Sequence, residues 1–194
     1  MTRFAATARK SGAAIVRRAL CALAVALATA VAAQATETNV ETRIKAAFLY
    51  HFCNYVDWPE SAFGQADSPL VLGVMGSESM TGELSGVVAS RVAHERPMTV
   101  RTLRPGDSLD GLHLLFVAES AKVNMNALLA AAAEHSVLVV TEEPEGLEAG
   151  GAINFIVEND RVRFDIAPEI ARRSKLGVSA QLLTVARMVK EDGD

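Results

Sequence analysis

The chain has 194 residues, of which 50% are hydrophobic, with 19 basic and 23 acidic side chains and a net charge of −4. Residues 1–33 hold five of the basic side chains and no acidic one, so the remainder has 14 basic against 23 acidic side chains, a net charge of −9. This acidic balance argues against nucleic acid and against anionic lipid surfaces as partners.

The first predicted element is a secretory signal peptide over residues 1–33. Its basic stretch precedes an apolar run, Ala19–Ala33, whose 15 residues fall short of the roughly 20 needed to span a bilayer. The run ends in small residues, so we expect cleavage near residues 33–35. An uncleaved anchor is the alternative, and the pair Arg17-Arg18 leaves both Sec and twin-arginine export open.

Export from the cytoplasm follows from this reading. After the leader we predict a short segment at 34–40, a single domain at 41–190 and a tail at 191–194. Cys21 would leave with the leader, so the mature chain would keep only Cys53. That excludes an intramolecular disulfide and a zinc site built from several thiolates. A lone cysteine is expected to be buried.

The stretch KAAFLYHFCNYVDWP at residues 45–59 concentrates aromatic side chains in a chain that contains only 5% of them. A 3.6-residue period predicts a helix over residues 40–56. Its expected inner row is Ile44, Phe48, Phe52 and Val56, with Ala47, His51 and Tyr55 beside it. Because His51 and Cys53 are two positions apart, they do not face each other on a helix. We therefore prefer a core helix over a membrane anchor, a thiolate–imidazole pair, or a haem or metal site.

Apolar runs then alternate with helical patterns. The predicted strands are Pro69–Met75, Met98–Leu103, Leu112–Val117 and Ser136–Thr141. The predicted helices are Met80–Ala89, capped from the turn Gly76–Ser79, and Ala121–Glu134. This alternation, with strands that are apolar on both faces, predicts a three-layer Rossmann-like α/β sandwich with a mostly parallel sheet.

A C-terminal antiparallel hairpin is predicted from Asn159-Asp160 as its two-residue turn. One face would be buried and would pair Val157 with Val162, Phe155 with Phe164 and Ile153 with Ile166. The other, wetter face would pair Glu158 with Arg161, Ile156 with Arg163 and Asn154 with Asp165. Pro168 would then begin a short helix, and Ser179 would cap a final one with Leu182, Leu183, Ala186 and Val189 on its apolar side.

No motif indicates catalysis, since the chain lacks HExxH, G-x-S-x-G and P-loop patterns. Gly73–Gly76 follows the first strand but lacks the spacing of a dinucleotide loop, and Glu78 would repel an anion at the next helix. The acidic loop Thr141–Ala149 lacks the residue order of a calcium loop. We predict no catalytic residue, no cofactor and no metal.

Six segments in series resemble the YfiR family of small exported regulators. They are KAAFLYHFCNYVDWP, PLVLGVMG, GLHLLFVAES, SVLVVTEEPE, GGAINFIVENDRVRFDIA and LGVSAQLLTVARMV, which run through residues 41–189. The resemblance implies a periplasmic Rossmann-like domain, often dimeric, without enzymatic activity. It also implies binding and repression of an inner-membrane diguanylate cyclase, relieved by an outer-membrane lipoprotein, with control of cyclic-di-GMP and biofilm formation.

One feature departs from the family. Characterised members are redox-responsive through disulfides at the strands that match Leu70–Gly73 and Leu112–Phe116, and both strands lack cysteine here. The resemblance transfers no partner-binding residues. From the residues themselves, the candidates are the wetter hairpin face and the exposed side of the first helix: Arg161, Arg163, Asp165, Tyr50, Asn54 and Trp58.

The leading hypothesis is a periplasmic regulator that acts on a membrane signalling protein through a protein interface. The alternative is a periplasmic small-ligand sensor that works with a histidine kinase or an outer-membrane receptor, using the cleft at the carboxyl ends of the parallel strands. An exported enzyme is least favoured, because no nucleophile–base pair can be named.

Overall fold

The computed structural model describes residues 40–65 and 67–191. The predicted signal peptide, Cys21, most of the predicted segment 34–40 and residues 192–194 of the predicted tail lie outside the described residues. The helices are α1 (residues 40–55), α2 (Glu78–Val88), α3 (Met125–Glu134), α4 (Pro168–Arg173) and α5 (Ala180–Val185). The strands are β1 (Val56–Asp57), β2 (Leu70–Met75), β3 (Val92–Ala93), β4 (Arg96–Leu103), β5 (Leu114–Val117), β6 (Leu138–Thr141), β7 (Ile153–Glu158), β8 (Arg161–Ile166), β9 (Gly177–Val178) and β10 (Met188–Val189).

Eight strands form one sheet in the order β10-β8-β7-β6-β5-β2-β4-β3. The pairs that join β4, β2, β5, β6 and β7 are parallel, as is the pair of β10 with β8. Only β7–β8 and the edge pair β3–β4 are antiparallel in this sheet, and β1 and β9 form a separate two-stranded ribbon. The predicted α/β fold with a mostly parallel sheet and a C-terminal hairpin is confirmed.

The two faces of the sheet bury separate cores. On β5, Leu114 and Phe116 belong to one hydrophobic cluster while Leu115 and Val117 belong to the other, as alternation along a strand requires. The first cluster includes buried side chains of α1, α2, α4 and α5. The second is completed by α3 and the segment before β5. Helices on both faces give the three layers that the sequence predicts.

Close approach of neighbouring elements explains Gly73, in the middle of β2. A methyl group at this position would lie 2.5 Å from both Leu103 Cδ1 and Leu112 Cδ2. Both leucines are buried in the second core cluster. Glycine therefore lets two large side chains meet over the strand.

The inner face of α1 differs from the predicted row. Phe52 is fully buried as expected, and so is Val56, which begins β1 rather than ending α1. Phe48 is half-buried and Ile44 is 40% exposed, whereas Leu49 and Cys53 are fully buried. The sequence offers two adjacent apolar rows on this helix, and a periodicity argument cannot tell which of them meets the sheet. The prediction was wrong for Ile44.

Helix termini follow from side-chain caps. Ser77 Oγ accepts a hydrogen bond from Met80 N at 3.1 Å, which fixes the start of α2 as the turn chemistry predicts. Asn124 Oδ1 accepts one from Ala127 N at 3.2 Å, so α3 begins at Met125 rather than at the predicted Ala121. Ser179 Oγ accepts from Leu182 N at 3.3 Å, and this confirms the predicted cap of α5. The predicted extent of this helix was wrong, since α5 ends at Val185 and Val189 lies in β10.

Candidate functional site

The C-terminal hairpin carries the first group of candidate residues. All six predicted cross-strand pairs, from Ile153–Ile166 to Glu158–Arg161, occur in the structure. Asn159 and Asp160 have φ angles of +51° and +57°, the left-handed pair that a type I′ turn requires. Arg161 and Arg163 are exposed, and neither side chain has a hydrogen bond or ion pair with another described residue. The hairpin therefore presents two free guanidinium groups.

Asp165, the third candidate on this face, does not share that exposure. It is 4% exposed and accepts from Arg187, with Nε 2.8 Å from Oδ1 and Nη2 on Oδ2. The bidentate pair raises the pKa of Arg187 through its hydrogen bonds to Asp165. The cause of the burial is β10, which pairs with the end of β8 and covers Asp165. The predicted exposure of Asp165 was wrong.

Asn154, opposite Asp165, is buried as well. Its Oδ1 accepts from Thr141 Oγ1 at 2.7 Å, and its Nδ2 donates to the Glu143 carbonyl at 2.9 Å. The acidic loop after β6 therefore folds against the hairpin and satisfies this amide. Among residues 40–65 and 67–191, no group of three or more His, Cys, Asp or Glu side chains is arranged to hold a metal ion.

The second group of candidates, Tyr50, Asn54 and Trp58, is half-buried. The Arg91 guanidinium lies 4.8 Å from the Tyr50 ring centre, and Asn54 Nδ2 donates to the Tyr50 carbonyl at 2.9 Å. Trp58 Nε1 donates to the His113 carbonyl at 3.0 Å, and its ring meets His94 edge-on. These side chains line a seam between α1 and the segment around β3. In the described chain, no hydrogen bond, ion pair or ring contact joins them to the hairpin group.

A polar cleft lies at the carboxyl ends of β5 and β6. Lys45 is buried there, with Nζ 2.5 Å from Glu41 Oε1 and 2.7 Å from Glu142 Oε2. Burial alone would lower the pKa of Lys45, but hydrogen bonds to Glu142 and Glu41 outweigh it and raise the pKa. Glu119 N donates to Glu142 Oε1 at 3.3 Å, which ties the two strand ends together. Lys45 lies one helical turn before buried Leu49, so a charged residue on the inner side of α1 could have indicated a buried ion pair. The sequence analysis did not use this signal.

The cleft has a volume of about 410 Å³ and is walled on one side by Phe155, Ile156 and Val157 of β7. Ligands of open α/β sheets bind outside the carboxyl ends of parallel strands. The cleft therefore occupies the place that the small-ligand hypothesis requires. Its carboxylates and single lysine give it a net negative charge, which favours a cationic or hydrogen-bonding molecule over an anion.

The reactive side chains of the first helix are kept apart. His51 is exposed, and its ring is tilted by 58° against that of Tyr50. Cys53 is fully buried, and burial raises the pKa of its thiol. A thiol held protonated in the core is a poor nucleophile. The prediction that Cys53 is a buried side chain is confirmed.

Gly76, which directly follows β2, has a structural role that does not involve a phosphate loop. Its φ angle is +87°, and a methyl group there would lie 2.7 Å from the Ala121 side chain. The segment that begins at Ala121 thus fills the space beside the turn. Ser120 Oγ also donates to the Gly76 carbonyl at 2.6 Å, so the turn serves contact between two chain segments.

A family model described as YfiR/HmsC-like matches residues 42–187. The chain belongs to the YfiR/HmsC-like family. This is a family of periplasmic regulatory proteins, and the match confirms the resemblance found in the sequence. Among curated proteins, none matches the chain significantly. In the described part of this YfiR/HmsC-like chain, no helix is long and apolar enough to cross a membrane.

Proposed function

We propose that this protein is a non-catalytic periplasmic regulator that binds and represses an inner-membrane signalling protein, most directly a diguanylate cyclase. Cyclic-di-GMP level and biofilm formation would then follow the amount of free regulator. The observation that carries the proposal is the YfiR/HmsC-like match over residues 42–187. The buried thiol of Cys53 and the dispersed histidines support a role that depends on surface contacts rather than on reactive groups.

The hairpin face with Arg161 and Arg163 is the expected contact surface. Both side chains are exposed and unpaired with other described residues, while Arg187 on the same sheet edge holds Asp165. Exposed guanidinium groups in an otherwise acidic protein favour a carboxylate-bearing partner, because opposite charges steer association and fix orientation. An outer-membrane lipoprotein and a second copy of the chain are further expected partners from the family.

Loss of the gene tests the function directly. We expect deletion to raise cellular cyclic-di-GMP and biofilm mass, because the repressor is gone, and the wild-type gene to reverse both changes. In parallel, the purified protein should bind the periplasmic domain of a diguanylate cyclase from the same organism. Unchanged cyclic-di-GMP after deletion, together with no such binding, would show that the proposal is wrong.

Charge reversal tests the contact surface. The double variant Arg161→Glu with Arg163→Glu is expected to weaken binding to the cyclase domain about tenfold or more, by replacing attraction with repulsion. The matched control is Lys122→Glu with Arg104→Glu, which makes the same charge change at two exposed positions outside the hairpin. Binding titrations at low and moderate salt measure both. Equal losses of affinity in the two double variants would show that the effect comes from net charge and that the hairpin is not part of the interface.

The cleft around Lys45 favours one other function, a small-ligand sensor that reports to a histidine kinase or an outer-membrane receptor. Its position at the strand ends and its volume of about 410 Å³ support this alternative. Saturable thermal stabilisation of the protein by one member of a metabolite panel, lost in Lys45→Met, would favour it over the regulator that needs only a protein partner.

A further inference from the structure

His113 stands immediately before β5 in a fully enclosed site. Its ring is 2% exposed, and Nδ1 accepts a hydrogen bond from Val71 N of β2 at 3.1 Å. Because Nδ1 accepts, the proton of the neutral ring must be on Nε2. Nε2 is buried without a hydrogen-bond partner of normal geometry in the described structure. The Ala62 backbone interacts with the ring, but its effect is smaller than those of burial and Arg96, so the poorly satisfied donor calls for a physical reason.

The ring is covered by residues 58–65, which we call the cap segment. Phe63 stacks on His113 with ring centres 4.4 Å apart, and the Trp58 ring meets it edge-on at 6.2 Å. Trp58 Nε1 also donates to the His113 carbonyl at 3.0 Å. The cap segment is thus held to the amino ends of β2 and β5 through one histidine.

Arg96 of β4 holds the far side of the cap segment. Its guanidinium lies 3.8 Å from the Phe63 ring centre, and Nη1 donates to the carbonyls of Gln65 and Ser68. Phe63 is therefore sandwiched between a permanent cation and a neutral imidazole. A second positive charge on His113 would face Arg96 across one aromatic ring.

The other groups around His113 offer no compensating negative charge. Val71 of β2 and Leu138 of β6 contact it through their backbones, since Leu138 N donates to the His113 carbonyl at 2.8 Å. His94 of the β3–β4 turn contacts the Trp58 ring rather than His113. The acidic side chains of the covering loop, Glu60 and Asp67, are exposed and make no hydrogen bond or ion pair with the ring.

We propose that His113 is an acid-sensitive latch: a proton taken up from solvent by Nδ1 releases the cap segment from the amino ends of β2 and β5. Protonation turns the Nδ1 acceptor into a donor that faces the Val71 N–H, so that hydrogen bond is lost. It also places a buried charge opposite Arg96. Release exposes Trp58 and opens the seam that Tyr50 and Asn54 line, which makes the surface of the regulator depend on acidity.

The direction of the pH dependence follows from the burial of His113. Burial, and then the charge of Arg96, lower the pKa of His113 from 6.5 to about 4, while the backbone of Ala62 acts in the opposite sense. The unfolded or released ring binds a proton more readily than the enclosed ring. Stability of the closed form is therefore complete above about pH 6.5 and is lost as pH falls toward about 4.

Trp58 is the only tryptophan of the chain, so its fluorescence reports the cap segment alone. Titration of the purified protein from pH 7 downward should shift its emission to longer wavelength, with a midpoint between pH 6.5, where the released ring takes up its proton, and about pH 4, where the enclosed ring does. Far-UV circular dichroism should stay unchanged over the same transition. A fluorescence change that coincides with loss of helix would overturn the latch, since it would report global unfolding.

Two asparagine variants distinguish the effect of protonating His113 from that of protonating His94. In His113→Asn, Oδ1 can replace Nδ1 as the acceptor for Val71 N but cannot take up a proton, so the acid transition should disappear. His94→Asn is the matched control, because His94 has a φ angle of +50° that asparagine tolerates, and it should keep the transition. If His113→Asn does not fold, nuclear magnetic resonance titration of the wild-type His113 ring decides. A pKa near 6.5 would overturn the proposal.

Discussion

Replacing Phe52 with alanine is expected to lower the free energy of unfolding by about 4 kcal/mol. The ring is fully buried, and its centre lies 5.0 Å from that of Phe164, 5.7 Å from Phe155 and 6.0 Å from Phe48. It therefore fills the space between α1 and the C-terminal hairpin. Its removal leaves a cavity that rigid neighbours cannot close, and urea denaturation measures the loss.

Ile44→Ala is the matched control on the same helix. Ile44 is 40% exposed, so its truncation should cost less than about 1 kcal/mol. The two variants distinguish the row of α1 that meets the sheet from the neighbouring row. Equal losses of unfolding free energy in Phe52→Ala and Ile44→Ala would contradict the observed orientation of α1.

Replacing Arg187 with methionine is expected to lower the free energy of unfolding by about 2 kcal/mol, because Asp165 is buried while the Arg187 end of the pair is 36% exposed and screened by solvent. Arg187 makes a bidentate pair with Asp165, whose side chain is only 6% exposed. Methionine keeps the length of the side chain but leaves a buried carboxylate without its partner. The loss should be measurable by urea denaturation, together with a weaker attachment of β10 that hydrogen exchange at Lys190 N would report.

Lys190→Met provides the comparison for an exposed pair. Lys190 Nζ lies 3.4 Å from Glu148 Oε1, and the Glu148 side chain is 57% exposed. Such surface pairs contribute little, so the expected loss is below about 0.5 kcal/mol. A loss in Lys190→Met as large as that in Arg187→Met would contradict the distinction between the two pairs.

The hairpin is the part of the fold that local sequence specifies most completely. Asn159 and Asp160 accept the left-handed conformation of the turn, and a two-residue turn determines every cross-strand partner. Phe155 and Ile153, at alternate positions, then decide which face is buried. The predicted burial of Val157 was wrong, since this residue next to the turn is 53% exposed. The positions of the parallel strands along the chain also follow from the apolar runs, whereas their order in the sheet was not predicted. The features predicted correctly depend on neighbours in sequence.

Features that depend on distant residues escaped the sequence analysis. Asp165 is covered because Arg187, 22 positions away and immediately before β10, reaches it. The strands β1, β3, β9 and β10 have two residues each, too few to show an alternating pattern. The side of α1 that packs against the sheet depends on the position of the sheet. The periodicity of the α1 sequence carries no information about that position.

The residues of the candidate site can also be divided into those that local sequence predicts and those that it does not. Arg161 and Arg163 are exposed as their register predicts, because nothing outside the hairpin alters them. Lys45 meets Glu142 across 97 positions in the chain, and no local pattern marks that pair. The seam at Tyr50 and Trp58 arises from contacts with Arg91 and His94, which lie in a distant segment of the chain that no local pattern links to α1.

The buried thiol of Cys53 can report how often α1 detaches from the sheet. It is the free cysteine of the described residues and has no exposed surface, so a maleimide can reach it only when the helix lifts from the sheet. Its labelling rate under native conditions therefore measures how often that opening occurs. A bound partner that grips α1 would slow the reaction, and a partner confined to the hairpin tip would leave it unchanged.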